Sequence, residues 1–339
     1  MKYLSVVVMI LSFLILIACN DSESTSTAND SSDSTEDSSD STNDSSDSTD
    51  DSSDSTDDSS DSTDDSSDSA NDPTADHVST LLTNVDSTAP AETVKICFIH
   101  HSTGSAWISD SSGGLGAALN ANNYYVTESD YGWDAEAGDN LGNRTDTEDW
   151  PEWFTNAKMP YVYANNAHYD YTNTIDDPTG ENDIIMFKSC YPNSEVGDSI
   201  DDEKQLYLDL LNYFENHQDK MFVLIVPPPE IVIDSGPLTR ELTNWLVDYE
   251  NGWLSSYDYF NVHAFDYYNV LTDPNNHHRV EGNDVVHTVS GSPVDGAAPN
   301  ELYYYTGTNN HPTAEGHQKA TAEYVPLLNA YYHIWQDNT

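Results

Sequence analysis

Five short apolar runs after residue 90 constrain the fold of this chain more than any other feature of its sequence. Each run is almost continuously apolar and leads into a polar loop that is rich in glycine or proline. A strand with one face in water alternates apolar and polar residues, whereas a strand of a parallel sheet is covered on both faces and is apolar throughout. The runs therefore predict strands of a parallel sheet. They are Val94 to Ile99, Tyr124 to Thr127, Asp183 to Phe187, Met221 to Val226, and Phe260 to Phe265.

Helices are predicted between these strands. Apolar residues recur at three- and four-residue steps from Ile200 to Phe214 and again from Leu238 to Tyr249, which is the spacing of a buried helix face. Right-handed crossovers between parallel strands place such helices on both faces of the sheet. The sequence thus predicts an α/β fold, a three-layer α/β/α sandwich around a parallel sheet of about five strands. We predict that residues 79–339 form this sandwich as a single domain.

The first 19 residues have the pattern of a bacterial lipoprotein signal. Lys2 precedes an apolar run from Val6 to Ala18, and Cys19 follows directly. Signals of this kind are cleaved before the cysteine, whose thiol is then acylated, and the run is short for a membrane span. We therefore expect the mature protein to be anchored to the lipid bilayer through acylated Cys19. The expected location is the periplasmic or cell-surface side of a bacterial membrane.

Residues 20–78 are predicted to be a disordered tether. They are almost entirely Ser, Asp, Thr and Asn, and Asp-Ser-Ser-Asp-Ser-Thr recurs there at a seven-residue spacing. A coiled coil has the same period, but no position of this repeat is apolar, so no seam can be buried. Repulsion between the aspartates extends such a segment. A solvated spacer between the lipid and the folded domain is the prediction, in preference to a calcium-binding repeat.

The charge of the chain excludes one class of partner. Asp and Glu number 60 against 10 Lys and Arg, which gives a formal net charge of -50. Binding to nucleic acid requires a basic surface that neutralises phosphates. We therefore expect no nucleic-acid partner.

A serine and a distant histidine suggest hydrolytic chemistry. Ser102 follows the first strand in the segment His100-His101-Ser102, and His311 precedes the final helix about 200 residues later. A serine hydroxyl becomes a nucleophile when a positioned base accepts its proton, and histidine is the usual base. The alternatives are structural, since Ser102 would also suit the cap of the helix that follows, and His311 before Pro312 would suit a helix boundary.

In these segments the chain resembles the SGNH or GDSL hydrolase superfamily, whose members are α/β/α folds with four short sequence blocks. The resemblance runs from about Val94 to the last helix. The nucleophile block Gly-Asp-Ser corresponds to His100-His101-Ser102, where only the serine is retained, and His311 matches the histidine of the Asp-x-x-His block. The resemblance implies a Ser-His esterase.

The two middle blocks supply oxyanion donors in that family. Asn140-Leu141-Gly142 matches the Asn-x-Gly block, with Gly132 as a rival, and Asn193 is the candidate amide of the third block. The resemblance implies that the N–H groups of Ser102 and Gly142 and the side chain of Asn193 bind the oxyanion. Such donors are each worth roughly 3 to 4 kcal/mol to acyl transfer.

The final block departs from the family at its acid. Thr308 occupies the aspartate position, followed by Asn309 and Asn310. We expect the imidazole of His311 to be oriented by a neutral oxygen of Thr308, of Asn309 or of a backbone carbonyl, or by a carboxylate from elsewhere. Losing the carboxylate partner lowers the rate of such enzymes by orders of magnitude.

The predicted function is therefore a lipid-anchored extracytoplasmic serine esterase. It would hydrolyse an acyl ester of a small molecule or carbohydrate, with Ser102, His311, Asn193 and Gly142 at the site. The alternative is an SGNH-like surface module that binds glycans with weak or no turnover. Thr308 and the two histidines that replace Gly-Asp favour that alternative.

Other residues are weaker candidates for a role at the site than Ser102 and His311. The remaining histidines show no metal-binding spacing, so neither a metal nor a cofactor is expected. Cys97 and Cys190 are expected to be unpaired, and Cys190 is a weaker candidate nucleophile than Ser102. Lys188 either holds a substrate anion or pairs with an acid. Aromatic residues that would stack on a sugar, or belong to the core, are Trp107, Trp133, Trp150, Trp153 and Tyr303 to Tyr305.

Overall fold

A computed structural model describes residues 82–190, 199–231, 236–290 and 302–339 of the chain. The predicted signal (1–19) and tether (20–78) lie outside these residues. The strands are β1 Val94–Ile99, β2 Tyr124–Ser129, β3 Ile184–Phe187, β4 Met221–Ile225, β5 Val262–Phe265, β6 His277–Glu281 and β7 Asp284–Thr288. The helices are α1 Thr103–Ile108, α2 Leu115–Ala121, α3 Trp150–Trp153, α4 Met159–Tyr163, α5 Asp201–Glu215, α6 Gly236–Val247, α7 Tyr267–Thr272 and α8 Ala314–Asn338.

The five predicted strands form one parallel sheet in the order β2-β1-β3-β4-β5. Every residue of β1, β3, β4 and β5 is buried, as the apolar runs require. Strand β2 is two residues longer than the predicted run, because Glu128 and Ser129 continue the pairing with β1. The predicted parallel sheet is confirmed.

Helices cover both faces of this sheet. On one face the core contains Trp107 of α1, Leu119 of α2, Val270 of α7 and Tyr324 of α8. On the other face, side chains of α3, α4, α5 and α6 pack on alternate residues of the same strands. Because side chains of a strand alternate between its two faces, each strand contributes to both cores. The three-layer α/β/α architecture is therefore confirmed.

A two-stranded antiparallel hairpin, β6-β7, was not predicted. It packs against α8, and the first described residues of the chain bond to it: the N–H of Val85 donates to the carbonyl of Asn283, at 2.7 Å, and the N–H of Val285 donates to that of Leu82, at 2.8 Å. Its sequence is polar and rich in histidine, so it lacks the apolar signal of a core strand. Among the described helices, none has the length and apolarity needed to span a membrane.

The strand order marks one edge of the sheet as the expected place for a ligand. From β1 the chain crosses first to β2 on one side and then to β3 on the other, so the loops after β1 and β3 diverge. In open parallel sheets, ligands bind in the crevice beyond the carboxyl ends of the strands at such a switch point. Ser102 follows β1, and Lys188 follows β3 directly.

Candidate active site

Ser102 occupies a strained backbone position between β1 and α1. Its φ is 48° and its ψ is -97°, a combination that residues with a side chain rarely adopt. Its hydroxyl makes no capping bond to α1, which removes the helix-cap explanation for this serine. Strain of this kind costs about 1 to 3 kcal/mol and concentrates at functional sites. The turn leaves the side chain only partly buried at the carboxyl edge of the sheet.

The hydroxyl of Ser102 meets the imidazole of His311. The distance between Ser102 Oγ and His311 Nε2 is 2.5 Å, although the two residues are 209 positions apart in sequence. His311 lies before α8, whose N-terminus is capped by Thr313: its hydroxyl accepts a hydrogen bond from the N–H of Gly316. Because Thr313 fills the capping role, His311 is not needed as the helix boundary.

Asn309 orients the imidazole. Its Oδ1 lies 3.1 Å from Nδ1 of His311 and 3.0 Å from the backbone nitrogen of the same residue. Nδ1 therefore donates its proton to Asn309, and the lone pair of Nε2 faces Ser102. The oxygen of Asn309 is one of the neutral acceptors that the sequence analysis considered for His311. It carries no charge to stabilise an imidazolium.

Gly142 has a different role from the one predicted. Its N–H donates to the carbonyl of Trp133, at 2.8 Å, so this donor is already engaged and does not face a substrate as the resemblance implied. Its own carbonyl accepts a hydrogen bond from Nε2 of His101. A Cβ at this position would lie 2.3 Å from the carbonyl oxygen of Asp130. The close packing therefore requires glycine at this position, and the carbonyl of Gly142 holds the imidazole of His101 in place. The rival Gly132 donates its N–H to Asn143.

The other predicted oxyanion donors have different outcomes. The N–H of Ser102 has no acceptor in the described part of the chain, so this donor remains available at the edge of the sheet. Asn193 lies outside the described residues, and its proposed role stays a prediction. Ser102 and His311 are thus the two predicted site residues that the fold brings together.

A buried contact between a histidine and a glutamate supports the loop before Ser102, and sequence reasoning missed its acid. Nε2 of His100 lies 3.3 Å from Oε2 of Glu128, and both side chains are fully buried. Glu128 also accepts the N–H groups of residues 169–171. Burial alone would raise the pKa of Glu128, but the bonds from His100 and the backbone lower it overall. The sequence signal that could have identified Glu128 is an acidic residue near the carboxyl end of an apolar strand, where a ligand is expected to bind.

The same two side chains belong to the group of residues that best suits a metal. Ligand atoms of His100, Glu128 and Asp170 lie within 4.8 Å of one another, and no other such group occurs in the described residues. Both oxygens of Glu128 already accept hydrogen bonds from the protein, so the group is stable as a hydrogen-bonded support. We assign it that role.

Electrostatics favour neutral histidines at the site. Burial, and then the charge of Lys188, lowers the pKa of His311 from its ordinary value of 6.5. Burial is also the main cause that lowers the pKa of His101 to about 4. The lowered pKa favours the unprotonated imidazole of His311 at neutral pH, which is the form able to accept a proton from a neighbouring hydroxyl.

The aromatic residues divide between core and surface. Trp107, Trp150 and Trp153 are fully buried, and Trp133 is nearly so, which leaves none of them exposed to stack on a sugar. Tyr131 is instead half exposed, and its ring stacks on His101 with centroids 4.0 Å apart. This tyrosine, which the sequence did not single out, is an exposed aromatic ring in contact with the residue that precedes Ser102. Within the part of the chain that the structure describes, Cys97 and Cys190 are not joined by a disulfide, which agrees with the prediction.

Comparisons with protein-family models, with curated proteins and with solved structures yield no match for this chain. The class that the fold and site define thus rests on the geometry itself: a three-layer α/β/α protein with a serine-histidine pair at the carboxyl edge of its sheet.

Proposed function

We propose that this protein is a serine esterase of the SGNH type. The observation that carries the proposal is the 2.5 Å contact between Ser102 Oγ and His311 Nε2. The strained backbone at Ser102 supports it, because strain in a folded protein is retained where function requires it. So does the position of both residues at the switch point of the sheet.

The proposed reaction has two halves. Ser102 Oγ attacks the acyl carbon of an ester while its proton passes to Nε2 of His311, and the carbonyl electrons move onto oxygen. When the tetrahedral intermediate collapses, the ester C–O bond breaks and the departing alcohol takes the proton from Nε2. Water then repeats the sequence on the acyl-enzyme and releases the carboxylic acid. The N–H of Ser102 is a donor for the oxyanion in both halves.

The substrate is proposed to be an acyl ester of a small molecule or carbohydrate. Tyr131 offers an exposed ring beside His101, and aromatic faces bind the apolar faces of sugar rings. This chain has no excess of basic groups to attract polyanions, since Lys and Arg total 10. A screen of acylated sugars beside simple alkyl esters should therefore favour the neutral substrates over anionic ones.

A fluorophosphonate probe tests the proposal directly. Such a probe traps a serine whose hydroxyl is activated by a base, and peptide mass spectrometry of the full-length protein should find the adduct on Ser102. Short acyl esters of 4-nitrophenol should be hydrolysed by the same preparation. Folded protein that gives neither the adduct nor hydrolysis contradicts the proposal.

A second candidate is a surface module that binds glycans with little turnover. Two observations favour it: Asn309 supplies no negative charge to His311, and the N–H of Gly142 is engaged by Trp133. Glycan binding that persists in Ser102→Ala, together with no probe labelling of the wild type, would select this function over the esterase.

We also propose that Cys19 is acylated and that residues 20–78 hold the catalytic domain away from the membrane. The support is the sequence pattern of a lipoprotein signal and of a charged spacer. Radiolabelled palmitate should enter the protein in a bacterial host, and Cys19→Ser should abolish the incorporation. Equal labelling of the variant would contradict anchoring at this residue.

A further inference from the structure

The histidine of the candidate site lies in an irregular segment of the chain. Residues 302–313 form neither a helix nor a strand, and Thr306 to Asn309 are exposed to solvent. A segment of this kind lacks the continuous ladder of backbone hydrogen bonds that fixes the path of a helix or a strand. The position of the His311 imidazole beside Ser102 Oγ therefore depends on bonds made by individual residues of the segment.

Asn310, the residue directly before His311, joins this segment to the loop that follows β4. Its Oδ1 accepts a hydrogen bond from the backbone N–H of Ile231, at 2.9 Å, and its Nδ2 donates to Oε1 of Glu230, also at 2.9 Å. Only this orientation of the amide satisfies both partners, because an N–H requires an acceptor and a carboxylate requires a donor. The half-buried side chain of Asn310 thus bonds through both ends of its amide to a loop about 80 residues earlier in the chain.

The loop after β4 is a rigid anchor for these bonds. Strand β4 is paired on both sides, by β3 and by β5, and residues 226–229 that follow it are buried. Three consecutive prolines, Pro227 to Pro229, restrict the backbone of the loop. The hydroxyl of Tyr305 donates to the carbonyl of Pro229, at 2.8 Å, so a second side chain of the histidine segment bonds to the same loop.

The backbone of His311 is held on both sides of its position in the chain. Two residues later, the N–H of Thr313 donates to the carbonyl of Tyr304, at 2.7 Å, and the side chain of Thr313 caps α8. One residue earlier, Asn310 bonds to the loop after β4. Asn309 has a different function, because both bonds of its side-chain oxygen go to His311 itself and set the direction of the ring.

We propose that Asn310 is a positioning residue for His311: its amide clamps the histidine segment to the loop after β4 and so holds Nε2 within reach of Ser102 Oγ. This inference rests on the proposed esterase function. Proton transfer requires the two atoms to lie within about 2.6 to 3.2 Å, and a displacement of about 1 Å can lower a rate about 10²-fold. Because Asn310 acts through His311, its loss should lower the rate of the chemical step rather than the affinity for a substrate.

The opposite polarity of the two bonds allows the clamp to be broken and restored by substitution. In Asn310→Asp, one carboxylate oxygen still accepts from the N–H of Ile231, but the other faces the carboxylate of Glu230 and is repelled. Glu230→Gln alone keeps an oxygen that accepts from the amide of Asn310. In the double variant, the new glutamine amide donates to the new aspartate, so the hydrogen bond forms again with its donor on the other side.

Labelling of the full-length protein by a fluorophosphonate at several probe concentrations measures the effect of these variants. The series separates the maximal labelling rate from the probe concentration that gives half of that rate. Asn310→Asp should lower the maximal rate about ten- to hundredfold and leave the half-saturating concentration within about twofold of the wild type. Glu230→Gln and the double variant should both label at rates within about threefold of the wild type, because the clamp is intact in each.

Asn275→Asp is the matched control. Nδ2 of Asn275 also donates to a carboxylate, Oδ1 of Asp273 at 3.0 Å, so the same substitution again sets two carboxylates against each other. The bonds of this side chain stay within an exposed turn after α7 and involve neither residues 302–313 nor the loop after β4. This variant should label like the wild type. Thermal midpoints of all variants establish that labelling is measured on folded protein.

Hydrogen–deuterium exchange tests the clamp without any activity. The N–H of Ile231 is protected by Oδ1 of Asn310, and the clamp holds the segment that contains His311. Asn310→Ala should therefore speed exchange about tenfold or more in the peptide that contains Ile231 and in peptides from residues 302–313. Asn275→Ala should leave the exchange of both regions unchanged.

The outcomes distinguish this inference from the esterase proposal. Normal labelling of Asn310→Asp, or a double variant that labels as slowly as Asn310→Asp, overturns the role of Asn310 while labelling at Ser102 upholds the esterase. An effect confined to the half-saturating concentration overturns it as well. No labelling of Ser102 in the wild type overturns the esterase. In that event hydrogen exchange still decides whether Asn310 holds the segment around His311, and unchanged exchange in Asn310→Ala overturns the clamp.

Discussion

Replacing Ser102 with alanine is expected to lower kcat/KM for ester hydrolysis by at least about 10³-fold, because the substitution removes the proposed nucleophile itself. The 2.5 Å contact between Ser102 Oγ and His311 Nε2 is the interaction proposed to activate the hydroxyl, and a methyl side chain has no atom to attack the acyl carbon. Labelling by the fluorophosphonate should disappear with it. Hydrolysis of 4-nitrophenyl esters and intact-protein mass spectrometry provide the two measurements.

Two matched variants complete this experiment. Ser105→Ala removes a partly buried hydroxyl of α1 that bonds to Asp130, and it should retain hydrolysis. Ser102→Gly should be as inactive as Ser102→Ala but more stable by about 1 kcal/mol, because glycine adopts a φ of 48° without strain. Activity that survives in Ser102→Ala, or equal thermal midpoints of Ser102→Ala and Ser102→Gly, would contradict the roles assigned to the hydroxyl and to the backbone.

Replacing His311 with glutamine is expected to have an effect of similar size, about 10³-fold or more on kcat/KM. Without the imidazole, the hydroxyl of Ser102 keeps its proton at neutral pH and is a poor nucleophile. The residue is only partly buried, so the fold should be retained. Because the two groups act as one unit, the double variant with Ser102→Ala should be no less active than either single variant.

Asn309 supplies a graded control for His311. Asn309→Ala removes the acceptor of the Nδ1 proton and should lower the rate about tenfold, since the bond is exposed to water and its partner is neutral. The adjacent Thr308→Ala, at an exposed position like that of Asn309, should change little. Full activity in His311→Gln would contradict the role proposed for the imidazole. A larger loss of activity from Thr308→Ala than from Asn309→Ala would contradict the assignment of Asn309 as the residue that orients it.

The local pattern of apolar residues was enough to predict the sheet. All five core strands lie where continuous apolar runs occur, because residues buried on both faces must be apolar wherever the strand sits. The hairpin β6-β7 escaped prediction for the converse reason. Its residues are polar and partly exposed, and its pairing is stabilised by contacts with α8 and with Val85 that no local pattern encodes.

The site was predicted in part. Ser102 and His311 were identified from their residue types and their positions next to a strand and a helix, and the fold brings them into contact. Gly142 was assigned from a three-residue match, which carries no information about where its N–H points. The structure shows that Trp133 accepts this N–H. Glu128 and Tyr131 were missed because their importance depends on His100 and His101, which lie on a neighbouring segment.

The sequence by itself determined that this chain forms a parallel α/β sheet with a serine after its first strand and a histidine before its last helix, because burial and helical period are local properties. Only the tertiary structure decided that Asn309 orients the imidazole of His311. The same is true of the buried amine of Lys188, which donates to the backbone carbonyl of Ser189. The reason is that contacts between distant segments, and the burial of a charged group away from water, arise only when separate strands and helices pack together. The residue type at a single position specifies neither of them.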